Sequence, residues 1–103
     1  MSSSAKRKSK PGMNAATAMA FASHEFELRH HRDTWPTWLR RCTVASYGKD
    51  QDGRFIVSLA VTPKATNNAV SYFQAIVDPF TAETTVLIDK DLSAFTGEDL
   101  QGY

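Results

Sequence analysis

The stretch RCTVASYGKDQDGRFIVSLAV (Arg41–Val61) decides the fold class. Two runs that alternate polar and apolar residues flank the turn-rich segment GKDQDG (Gly48–Gly53). Alternation with period two marks a strand with one buried face, and Gly and Asp between two such runs form the connection of a β-hairpin. The first run sets Cys42 and Val44 on one face and Arg41, Thr43 and Tyr47 on the other. The second sets Phe55, Val57, Leu59 and Val61 on one face, with Arg54 and Ser58 opposite. After the connection Pro63–Asn68, the run VSYFQAIV (Val70–Val77) reads as a third strand. Phe73 there faces away from Tyr72 and Gln74, and Asp78-Pro79 ends the strand.

Working outward, Ala16–Ala22 has helical alanine content, whereas Glu25–Arg29 (EFELR) alternates like a strand. A hairpin turning near Ser23-His24 accommodates both halves. Pro36 interrupts any continuous element over Asp33–Trp38. Downstream, Thr84–Ile88 (TTVLI) has strand propensity, but Thr81 as N-cap and Thr85, Ile88, Leu92 and Phe95 at helical spacing favour a helix slightly. The expected fold is therefore α+β and β-rich. It comprises an antiparallel sheet of about five strands (an N-terminal hairpin plus a three-strand meander) with a C-terminal helix, dimerising through the sheet. Residues 1–12 read as a disordered basic arm and 13–103 as a single β-rich domain.

Composition bounds the function. A chain of 103 residues is one domain, and 42% hydrophobic with 11% aromatic residues is too high for a disordered protein. The single cysteine, Cys42, excludes an intrachain disulfide and a cysteine-cluster metal site, and a free thiol fits a reducing compartment. No run of about 20 apolar residues is present to span a membrane as a helix. Lys6–Ser23 loosely imitates a signal peptide, ending in Ala20-Phe21-Ala22, but it contains Asn14 and Thr17 and lacks leucine. The net charge of +1 is unevenly spread: residues 1–12 sum to +4, and Asp78 onward sums to −5. Such a head could meet an anion, and such a tail would not.

Signatures of catalysis are missing. His24, His30 and His31 have neither the i, i+4 spacing nor a cysteine partner for zinc, and read as solvated or capping residues. Cys42 beside Val44 reads as a buried small hydrophobe rather than a nucleophile. Asp50 and Asp52 serve turn geometry, and the scattered glycines form neither a nucleophile elbow nor a phosphate loop. No enzyme, cofactor or metal is expected. Trp35 and Trp38 around Pro36 read as core or interface filler before base-stacking platforms. Lys6, Arg7, Lys8 and Lys10 suit phosphate contact as well as a solvated tail. The polar sheet face is the more informative pattern. Arg41, Thr43, Tyr47, Arg54, Ser58, Tyr72 and Gln74 combine cations and aromatics without an acid, which suits single-stranded RNA.

The stretch Arg40–Glu83, through RRCTVASY, GKDQDG, RFIVSLAV with TPKATN, and VSYFQAIVDPFTAE, resembles the coat proteins of single-stranded RNA bacteriophages, the levivirus type. Tyr103 is similar to that family's usual aromatic chain end. The resemblance implies an N-terminal hairpin, further strands and C-terminal helices. It implies a homodimer whose sheets join and whose helices pack on the partner, and higher assembly into a virion in the host cytoplasm. It also implies RNA held on the sheet by Arg41, Thr43, Tyr47, Arg54, Ser58, Tyr72 and Gln74. This chain departs from the family in its length, in its basic arm, and in placing Ile56 and Ala60 on that face. The alternative is a small non-enzymatic protein-binding module, an inhibitor or adaptor of a phage or bacterium that docks a host protein.

Overall fold

In a computed structural model, residues 12–103 are described, and they form one helix packed on one face of a four-stranded antiparallel sheet. The expected basic arm lies almost wholly outside the described residues. Helix α1 (Ala15–Arg29) is continuous through the point where a hairpin turn was expected. Asn14 caps it, its Oδ1 accepting from the Thr17 backbone N–H at 2.9 Å. Ala18, Ala22 and Phe26 recur every four residues and are buried, so one narrow stripe faces the sheet. The alternation in EFELR was coincidental: Phe26 is 3% exposed, but Leu28 is 68% exposed. Helical geometry turns the two side chains to different sides, where a strand would have aligned them.

A 3₁₀ turn (Arg32–Thr34) and a single helical turn, α2 (Leu39–Cys42), lead into the sheet. Arg41 and Cys42 thus belong to that turn, and the first strand starts later than expected. The strands are β1 (Val44–Lys49), β2 (Phe55–Val61), β3 (Val70–Val77) and β4 (Thr84–Asp89), in that spatial order. The expectation of antiparallel strands holds, with four in place of five. The run Thr84–Asp89 is a strand paired with β3, so the expected C-terminal helix is absent. Its Thr-Thr-Val start carries β-branched side chains that favour a pleated surface. The helix of this fold precedes the sheet.

The core lies between α1 and the strands β2, β3 and β4, which α1 contacts. Phe55, Val57, Leu59, Phe73, Ala75 and Val77 face it, none more than 7% exposed. Phe26 is the keystone. Its ring lies 4.8 Å from His30, 5.7 Å from Trp35 and Tyr72, and 5.3 Å from Phe73, centroid to centroid. After β4, two further 3₁₀ turns carry Leu92 and Leu100 into the core. Backbone bonds from Gln101 N–H to Thr62 O (2.9 Å) and Lys64 N–H to Asp99 O (2.7 Å) tie the tail to the β2–β3 connection.

Candidate interaction surface

The surface with functional potential is the sheet itself, and the pairing register fixes what it displays. Lys49 pairs with Phe55, so Tyr47 pairs with Val57 and Ser46 with Ser58. Residues directly opposite share a face. Tyr47 therefore points to the side of the core, beyond the helix, with its ring 6.0 Å from Phe55. Val44, expected in the core, is 60% exposed on the other side. A one-residue slip reverses a whole strand, and the parity of loop 50–54 decided it here. Asp50 builds that loop: its Oδ1 accepts from Asp52 N–H and Arg54 N–H (both 2.9 Å), and its Oδ2 from Arg54 Nε (2.8 Å). Burial raises the Asp50 carboxyl, but these hydrogen bonds outweigh it and hold the group below its usual value.

Two β-bulges complete the pattern. In β3, Leu59 pairs with Phe73 and Ala60 with Ser71, which leaves Tyr72 as an extra residue. Tyr72 and Phe73 consequently both enter the core. Buried Tyr72 gives its hydroxyl a partner in Thr43 Oγ1 at 2.9 Å. In β4, Leu87 is the extra residue between Val86 and Ile88.

The seven described residues expected to share an RNA-binding face are thus dispersed. Arg41 sits in α2, its guanidinium 5.5 Å from the centre of the Tyr103 ring. Thr43 and Tyr72 bond to each other, Tyr47 points to the opposite side, and Arg54 is engaged by Asp50 and Asp52. Only Ser58 and Gln74 lie together on the open face, Gln74 Nε2 donating to Ser58 Oγ at 2.9 Å. Lys6, Arg7, Lys8 and Lys10 lie outside the described residues.

Around the Ser58–Gln74 pair, register assigns Val44, Ile56, Ile76 and Ile88 to the open face, with Ser46, Gly48, Ala60, Ser71 and Thr85. None of these is charged. The helix covers the other face and none of this one. Beside it runs the free edge of β1, whose six residues are all exposed. The sequence signal for this surface was present in Ile56 and Ile76, which had been assigned no role or a discordant one.

Elsewhere, His30 Nε2 contacts Asp89 Oδ1 at 2.5 Å, and Arg29 reaches Asp89 at 3.3 Å, which joins α1 to the end of β4. A cleft of about 410 Å³ lies between His30, Trp38, Asp91 and Phe95. The Trp38 indole N–H beside it has no partner, but Trp38 is only 3% exposed, so the cleft offers a ligand little of that ring. Cys42 is buried. Among the described residues, no three His, Cys, Asp or Glu side chains are grouped to hold a metal ion, and no helix is long and apolar enough to cross a membrane. No protein-family model, curated protein sequence or solved structure matches the chain.

Proposed function

We propose that this chain is a non-enzymatic structural subunit that works by associating with copies of itself through its sheet. A coat subunit of RNA-phage type is the form of that role which the sequence resemblance favours. One observation carries the reading: an uncharged sheet face bearing Val44, Ile56, Ile76 and Ile88 is left uncovered by α1, the one long helix among the described residues. Val44 is 60% exposed and Ile56, Ile76 and Ile88 are half-buried, and an apolar face left partly to solvent suits protein–protein contact. The missing charge favours a protein over a phosphate backbone on this face, because phosphate contact needs Lys or Arg. In this reading the nucleic-acid contact passes to Lys6, Arg7, Lys8 and Lys10, as in capsids that neutralise their cargo with a basic arm (an analogy). In this reading α1 stays on its own chain's strands β2, β3 and β4, which it already contacts.

Size-exclusion with light scattering and absorbance at 260 and 280 nm tests the proposal on protein expressed in bacteria. The expected result is a species above the 11.4 kDa monomer, with nucleic acid that is lost when the four arm cations are replaced by Ala. A monomer free of nucleic acid at every concentration overturns it, and leaves a module that docks a foreign protein.

A further inference from the structure

We infer that a slot between α1, α2 and the sheet binds a small aromatic carboxylate, with the ring inside and the carboxylate on Arg40. The slot lies on the helix side of the sheet, away from the open face, and needs no second copy. Phe26 from α1, Leu39 from α2, Leu59 from β2 and Tyr72 from β3 line it together with Trp35, around a volume of about 270 Å³. An apolar cavity of about 150 Å³ accepts benzene, so one ring with a short substituent fits. Aromatic and aliphatic walls of this kind, with few polar groups, are the usual make-up of a small-molecule site.

The polar groups around the slot select the class of ligand. The Trp35 indole N–H already donates to His30 O at 2.7 Å, and the Tyr72 and Thr43 hydroxyls bond to each other at 2.9 Å. These groups are satisfied within the chain, so the interior calls for an apolar body. Glu27 and Arg40 also line the slot, and they differ in their surroundings. Glu27 is held by Arg32, whose Nη2 lies 3.3 Å from its Oε2, and the Arg32 guanidinium lies 5.4 Å from the centre of the Trp35 ring. That pair is neutral as a whole. Arg40 is exposed and, among the described residues, has no acidic partner. A guanidinium without a partner beside an apolar slot favours an apolar ligand that carries an anion. Its planar fork matches a carboxylate through two parallel hydrogen bonds.

Titration of the full-length chain with phenylacetate tests the site, with phenylacetamide as the uncharged counterpart and the two tryptophan indole N–H resonances as reporters. Trp35 lines the slot, whereas Trp38 lines the separate cleft beside Asp91. We expect phenylacetate to shift the Trp35 resonance saturably and the Trp38 resonance much less. Phenylacetamide should bind about fivefold more weakly, the size of one exposed ion pair. Arg40→Gln should remove that difference between the two compounds, and Arg40→Lys should keep part of it. A Trp35 resonance that does not shift, or a shift at Trp38 as large as at Trp35, overturns the slot. Equal binding of the two compounds, or a preference that survives Arg40→Gln, overturns the anion on Arg40.

Discussion

Phe26 and Leu28 separate the two ways of folding EFELR. In a strand they would share a face, so truncating either would cost about the same. In α1 they do not. Phe26 is 3% exposed and its ring meets those of His30, Trp35, Tyr72 and Phe73, whereas Leu28 is 68% exposed. Removing a buried Phe side chain costs about 3–5 kcal/mol through lost transfer energy and the cavity left behind. An exposed apolar residue truncated to Ala changes stability by within about 0.5 kcal/mol. A domain of this size has roughly 5–15 kcal/mol in total, so Phe26→Ala removes between a fifth and all of it, while Leu28→Ala is nearly silent. Urea unfolding followed by far-UV circular dichroism gives both values. Phe26→Leu, expected to lose less, keeps the comparison measurable if Phe26→Ala does not fold. Equal losses at the two positions would refute the helix and with it the packing of the core.

Acid should loosen the loops. Hydrogen bonds from the Phe80 and Thr81 backbone hold the Asp78 carboxyl low, those from Ser93 hold Asp91 low, and at Asp50 the bonds from Arg54 and Asp52 outweigh the burial that raises it. A carboxyl depressed in the folded state stabilises above its unfolded value of about 3.8, and that stabilisation is lost as pH falls through the folded value. The urea midpoint should therefore drop between pH 5 and pH 2.5. It should drop less in a variant carrying Asp50→Asn, Asp78→Asn and Asp91→Asn; an identical decline would show that other groups cause it. Gly53 lies in the same loop and Gly48 just before it, and the two should respond oppositely to alanine. Gly53 has φ +79°, so Gly53→Ala costs about 1–2 kcal/mol. Gly48 has open space at its Cβ position, so Gly48→Ala is neutral or mildly stabilising by thermal melting.

What the sequence disclosed follows from which residues carry unambiguous patterns. Phe55, Val57, Leu59 and Val61 alternate without exception, and they mark the inward side of β2 as read. The placement of β1 failed because its direction depends on whether loop 50–54 has an odd or even length, which Asp50 fixes through three hydrogen bonds that composition does not reveal. Tyr72 was misplaced because a bulge puts two successive side chains on one face, and no residue type announces it. In β4, apolar residues at helical spacing competed with β-branched propensity, and pairing with β3 decided the outcome. The open face escaped notice because Ile56 and Ile76 look like exceptions until register aligns them.

The bareness of β1 follows from dimensions. An α-helix with its side chains is about 10–12 Å across, and strands lie about 4.8 Å apart. One helix therefore spans roughly three strands, and α1 contacts β2, β3 and β4. A fourth strand at the edge gains neither the cover of the helix nor a neighbour on its outer side, and β1 is exposed throughout. Among the described residues the opposite face of the sheet carries no second layer, yet it keeps Ile56 and Ile76 on the two central strands. Strands in a folded domain are stabilised by burial on at least one face, and β1 has little of it among the described residues. Self-association, as proposed, would give the exposed edge and the uncharged face one physical explanation.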